Sequence, residues 1–176
     1  FESVVANNLT GGFLMMRELF LQSMQAHGGA IVNMTADFRN GMPGMGHSGA
    51  ARAGMANLTQ TAAFEWAHAG VRVNAAAPGW IASSGMDNYP VEMGPLIREL
   101  AKTIPAGRFG NEAETAAGIV FLLSPAASFI SGMTLRIDGA RPQARAGYPM
   151  RVPDAAIQSR DSATMPASTA GLFGVS

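Results

Sequence analysis

"SGAARAGMANLTQTAAFEWAHAGVRVNAAAPG" fills residues 48–79 and decides the fold. Residues 48–69 are rich in small residues and predict a helix, closed by Gly70. The continuation "VRVNAAAPG" (71–79) reads as a buried strand ending at a Pro-Gly break. A helix leading straight into a buried strand is half of an α/β unit.

The same alternation extends both ways. Upstream, Val4, Val5, Leu9, Phe13, Met16, Phe20 and Met24 fall at helical spacing. Gly11 and Gly12 weaken that helix locally, and Gly28-Gly29 stop it. "AIVNM" (30–34) suits a buried strand, followed by a Gly-rich loop over 35–46. Downstream come helices near 91–103 and over 112–124, then a strand over 133–138 ended by Gly139. This order predicts an α/β fold whose parallel sheet carries helices on both faces. Three strands make a thin sheet for a complete doubly wound domain, and the chain starts inside a helix at Phe1. A fragment or a processed chain is therefore expected; a small, complete α/β domain is the plainer alternative.

Composition narrows the classes. The 176 residues are 48% hydrophobic and 14% charged with zero formal net charge, so no electrostatic case for nucleic acid or anionic membranes arises. There is no cysteine, hence no disulfide, thiolate nucleophile or cysteine metal site, and no metal is expected. No apolar run approaches the roughly 18 residues of a membrane span. With no leader, and a chain end "FGVS" unlike a peroxisomal address, the expected compartment is the cytoplasm. Residues 1–140 are read as the domain, and 141–176, rich in Ala, Pro, Ser and Arg, as an irregular or partly disordered tail.

The blocks "NNLTGGF", "GGAIVNM", "SGAARAGMANLTQTAAFEWA", "GVRVNAAAPGWIAS", "GRFGNEAE" and "FLLSPAASFISGMTLRIDGA", in this order, resemble the C-terminal two thirds of a short-chain dehydrogenase/reductase. Within that family "HSGAARAG" is most similar to peroxisomal-type trans-2-enoyl-CoA reductases and their bacterial relatives, with 2,4-dienoyl-CoA reductases a step further away. The resemblance implies the C-terminal part of a Rossmann-like doubly wound sheet, with the N-terminal strands missing. It implies NADP (or NAD) as cofactor, an acyl-CoA or other small-molecule substrate, and a homo-oligomer, dimer or tetramer, formed through the helix at Phe1 and the small-residue helix. The family's Gly-rich phosphate turn is not found; "GMPGMGH" (41–47) follows the wrong strand with the wrong spacing and is read as loop.

The resemblance also assigns residues. Asn8 matches the family's helix asparagine, and Thr35 the serine that contacts the substrate carbonyl. Ser48 stands where the family has its tyrosine, and Arg52 where it has its lysine. Spaced i, i+4, the two share one helix face. Serine lacks the acidity of a phenol and is a poor proton donor. Arginine stays charged but keeps a fork of donors suited to ribose or phosphate oxygens. Asp37 lies about where dienoyl-CoA reductases place an acid, or is a turn-capping carboxylate. His47 caps the helix, faces solvent or moves a proton. Pro78, Gly79, Ile81 and Ser83 match the segment that contacts the nicotinamide carboxamide. Trp80, Met86, Tyr89, Met93 and Leu96 line an acyl channel or are plain core.

The resulting expectation is hydride transfer between NADP(H) and a small or acyl-CoA substrate, foremost enoyl-CoA reduction, in which donors near the thioester oxygen supply most of the help. One alternative is an alcohol or aldehyde dehydrogenase acting on terpenoid or 3-oxoacyl substrates. The other is a truncated, non-catalytic subunit lacking the cofactor half, so whether the chain is itself an enzyme stays open.

Overall fold

The computed structural model describes residues 1–88, 90–144 and 147–151. It divides into two compact units, one of Phe1–Pro78 with Ala117–Arg136, the other of Gly79–Ala116 with the described residues from Ile137 on.

The first unit opens with a helical rod: α1 (Glu2–Val5), a π-helical turn (Ala6–Thr10), α2 (Gly11–Leu19), a second π turn (Phe20–Met24) and α3 (Gln25–His27). Backbone angles at the junctions stay helical (Ala6 −57°, −45°; Gly11 −59°, −45°), so the rod is continuous. The glycines expected to weaken it are accommodated by packing. A Cβ on Gly12 would run into Met55 Cε, so the missing side chain lets a neighbouring helix approach. Gly28, at φ +71°, ends the rod in the left-handed region.

Strand β1 (Gly29–Met34) then pairs in parallel with β2 (Val71–Pro78), in register from Gly29 opposite Val71 to Met34 opposite Ala76. Strand β5 (Thr134–Ile137) lies on the other side of β2, giving the order β1-β2-β5. Helix α4 (Gly46–Glu65) is the crossover between the parallel strands β1 and β2. It buries Ala51, Met55, Thr59, Ala62 and Ala63, which recur at helical spacing. Met55, Ala62 and Ala63 pack with Met16, Phe20, Ile31, Val71 and Val73 in one core. The helix stops four residues before the expected end. Trp66, whose ring stacks on Phe20 at 4.5 Å, has left helical geometry (φ −98°, ψ 1°). A 3-10 turn (Ala67–Ala69) and Gly70 at φ +72° then turn the chain into β2.

Strand alternation sends Arg72 and Asn74 to the opposite face from Val71 and Val73. There the Arg72 guanidinium donates to the Leu122 and Ser124 carbonyls (2.8 and 3.1 Å), at the end of α6 (Glu112–Leu123), where a cation is favourable. Asn74 is fully buried; its amide donates to the Ile130 carbonyl (2.8 Å) and its oxygen accepts the Met133 N–H (3.1 Å). Helices on both faces of a parallel sheet match the Rossmann-like architecture expected from the sequence.

The second unit is built differently. A two-stranded parallel pair, β3 (Ile81–Ala82) with β4 (Gly110–Asn111), and helix α5 (Gly94–Lys102) enclose Ala82, Met86, Ile97, Ile104 and Phe109. This pair has no signature in the sequence, because two-residue strands are too short for a period-two pattern. Arg108 grips Glu114 with both nitrogens (2.9 and 2.6 Å). Asn111 and Glu114 form a reciprocal capping box at the start of α6: each backbone N–H donates to the other's side chain at 2.8 Å. The start of the expected tail is partly ordered, with a 3-10 turn (Arg141–Gln143) tied to Thr103 through Arg141 Nε at 2.9 Å. Residues 145–146 and 152–176 of the expected tail lie outside the described residues. No described helix is long and apolar enough to cross a membrane.

Candidate functional site

Within the first unit, the candidates gather at the carboxyl ends of β1 and β2, where ligands bind in open α/β sheets. Thr35 follows β1 directly and is 5% exposed. Its N–H and its hydroxyl both donate to the Ala76 carbonyl, at 2.8 and 3.0 Å. In this arrangement the Thr35 hydroxyl donates to the sheet, and its oxygen keeps room to accept.

Arg52 approaches the same end from α4. Its Nη1 donates to the Met34 carbonyl at 3.0 Å, while the buried Nε has no partner among the described residues. A guanidinium fixed by one of its five donors keeps a fork for a second acceptor. Ser48 lies one turn before Arg52 on the same helix and is half-buried. Its N–H donates to His47 Nδ1 at 2.9 Å. In the neutral ring this bond puts the proton on Nε2.

Asp37 is half-buried at a bend after β1, and no side-chain hydrogen bond of its carboxylate is seen among the described residues. Asn8 falls in the first π turn of the opening rod. π turns often occur at functional sites, because the extra residue shifts the helix face. The close helix approach expected of the small residues is used inside this unit. Gly54 meets Leu9, one residue past Asn8, so a Cβ there would stand 3.0 Å from Leu9 methyls.

Pro78 ends β2 and the first unit. In the second unit, Gly79 comes so near Asp138 that a Cβ would lie 2.8 Å from the Asp138 Cα. Its N–H donates to the Ile137 carbonyl at 2.9 Å. Only glycine fits, which explains the Pro-Gly break in packing terms. Ile81 is held in β3, and Ser83 opens the turn before Met86 through its carbonyl. The channel-or-core alternatives divide. Met86 is buried core, Trp80 and Met93 pack against that core, and Leu96 is 54% exposed. Tyr89 lies outside the described residues.

One polar pair escaped the sequence reading. Asn33 on β1 donates to the hydroxyl of Thr59, itself fully buried, at 2.9 Å, and Thr59 donates on to the Met55 carbonyl at 2.8 Å. The available signal was a polar residue at a core-facing position in each element.

Comparison with known proteins follows the same outline. A family model described as enoyl-(acyl carrier protein) reductase matches residues 1–140. A 3-oxoacyl-(acyl-carrier-protein) reductase of Synechocystis is 38% identical over 140 residues, which are 78% of this chain and 54% of that protein. Among solved structures, a citronellol catabolism dehydrogenase of Pseudomonas aeruginosa is 59% identical with a TM-score of 0.69, covering 80% of this chain and 54% of that one. A gluconate 5-dehydrogenase from Burkholderia cenocepacia, in complex with NADP and tartrate, is 28% identical with a TM-score of 0.72, covering 78% and 54%. The chain spans about half the length of these relatives.

Proposed function

Because this chain belongs to the short-chain dehydrogenase/reductase family, we propose that the protein transfers hydride between a nicotinamide dinucleotide, NADP before NAD, and a branched alcohol or aldehyde of the citronellol type. The observation that carries this is the 59% identity to the citronellol catabolism dehydrogenase.

The residues at the strand ends fit such a cofactor. Arg52 presents unused donors, its orphaned Nε among them, where a ribose or phosphate oxygen would be accepted. Pro78, Gly79, Ile81 and Ser83 are the residues that the family resemblance assigns to the carboxamide end. The cofactor, when bound, supplies or takes up the hydride. Ser48 orients the substrate oxygen, and the proton is carried by a group more acidic than serine. His47, next to Ser48 in sequence, and Asp37, eleven residues before it, are the two ionisable side chains that would take up or return that proton.

A second reading, reduction of an enoyl thioester, is favoured by one specific feature. With Ser48 in the tyrosine position, the chain offers hydrogen-bond donors to a developing enolate oxygen rather than a phenolic acid. Assaying the full-length protein separates the two. Citronellol-dependent reduction of NADP supports the first, NADPH consumption with an enoyl-CoA alone supports the second, and neither would refute both. Arg52→Met should lower kcat/KM by about 10–100-fold, the loss of a hydrogen bond from a charged donor.

Exposed Met15, Leu19, Leu21 and Phe64 on the rod and α4 support a homo-oligomer, to be tested by light scattering.

A further inference from the structure

The pair Asn33–Thr59 takes no part in the chemistry above, yet it sits where that chemistry is aimed. Helix α4 buries Ala51, Ala56, Ala62 and Ala63, and Met55 is its one large buried side chain. Such a face has shallow ridges, and shallow ridges resist sliding or rotation poorly. A one-residue slip moves a helix by about 1.5 Å and turns it by about 100°. Either motion would carry Arg52 away from the Met34 carbonyl, and Ser48 with it.

Two polar links join the same two elements. Asn33 Nδ2 reaches Thr59 Oγ1 at 2.9 Å, and Arg52 Nη1 reaches Met34 O at 3.0 Å. On β1 the anchors are adjacent residues; on α4 they are seven apart, two turns on one face, about 10 Å along the axis. Two links at that separation define both the height and the rotation of the helix. The first is a neutral pair in which Thr59 also donates to the Met55 carbonyl, so its hydroxyl is satisfied on both sides. Any other register would leave the Asn33 amide or the buried Thr59 oxygen unpaired, which is costly.

We infer that the Asn33–Thr59 pair is a register latch, a set of positioning residues that holds Arg52 and Ser48 at the carboxyl end of β1. The inference rests on the reading of Ser48 and Arg52 as the functional pair. Its polar atoms contribute specificity of alignment, as a single buried polar residue sets the register of packed helices elsewhere.

The test compares Thr59→Val, which keeps shape and removes the hydroxyl, with Thr59→Ser, which keeps the hydroxyl, in the full-length protein. Two quantities are read: kcat and KM for the nicotinamide cofactor, and amide hydrogen exchange over residues 46–56. T59V should lower kcat/KM by about tenfold or more, because small misplacements of positioned groups carry large kinetic penalties. It should also speed exchange in the first turns of α4, while T59S stays within about twofold of the parent. Asn33→Ala, at a half-buried position, should reproduce T59V and guards against a core variant that fails to fold.

Unchanged kcat/KM in T59V with a lowered Tm, or equal losses in T59V and T59S, would overturn the latch in favour of plain packing. If the parent itself turns over no nicotinamide cofactor, the functional reading fails separately, and exchange decides the latch alone. Faster exchange in T59V, restored in T59S, supports it, and unchanged protection over 46–56 sinks it.

Discussion

Both units bury bulky apolar side chains, Met16, Phe20 and Ile31 in the first and Met86, Ile97 and Phe109 in the second, and they differ in what accompanies them. Around β1, β2 and α4, the first unit uses small residues, close helix approach at Gly12 and Gly54, and buried polar groups paired across long sequence separations: Asn33 with Thr59, Asn74 with Ile130 and Met133. In the second unit Met86, Ile97, Ile104 and Phe109 fill the core, with Trp80 stacked on Phe109 at 5.8 Å, and an ion pair at its edge. Small residues with polar pairing specify alignment, whereas bulky apolar packing supplies burial and tolerates approximate register. The residues suited to chemistry around Ser48 and Arg52 sit in the unit that specifies alignment.

That contrast can be broken, most forcefully in the apolar core. Phe109→Ala removes a ring that is 1% exposed and should destabilise the protein by about 3–5 kcal/mol in denaturant unfolding. Asn74→Ala should come next, at about 2–3 kcal/mol, because it strands the Met133 N–H and leaves the Ile130 carbonyl only the long 3.5 Å bond from Arg72. If Asn74→Ala proved harmless, the polar pairing assigned to the first unit would lose its energetic basis.

Weaker still is the edge of the second unit. The Arg108 hydrogen bonds hold the Glu114 carboxyl below its ordinary pKa; partial burial opposes this, and the Asn111 N–H adds to the lowering. A depressed carboxylate contributes stability that is present above its unfolded value, about 4.3, and is lost as pH falls through the lower folded value. Glu114→Gln should therefore cost about 1 kcal/mol at neutral pH and flatten the acid limb of a Tm-against-pH curve. A mutant with an unchanged acid limb would show the ion pair to be idle. At the bottom of the scale, Lys102→Ala breaks a pair whose side chains are 71% and 66% exposed, and should shift stability by less than about 0.5 kcal/mol.

Legibility followed the length of each element, and the helix expected near 91–103 in the second unit is α5. The periodic apolar spacing of the opening helix, the small-residue helix ending near Gly70 and the run "VRVNAAAPG" announced the elements of the first unit, since each pattern is long enough to reveal its period. The pair β3–β4 was hidden because its strands are two residues each. The division of the chain at Pro78–Gly79 was hidden because it depends on which segments return to pack together. At the site, the family resemblance singled out Ser48 and Arg52, and their i, i+4 spacing put them on one helix face. The engagement of Thr35 with Ala76, across 41 positions, was not.

By itself, then, the sequence determined the alternation of helices and strands, the glycines that end them and the helix face shared by Ser48 and Arg52, because these follow from local geometry and residue type. The tertiary structure alone decided which donors are spent and which remain. Thr35 donates to Ala76, Arg52 is anchored on Met34 with its Nε unpaired, and Gly79 is pressed onto Asp138. Hydrogen-bond commitment and close approach are properties of neighbours brought together from distant positions, and no window of sequence contains both partners.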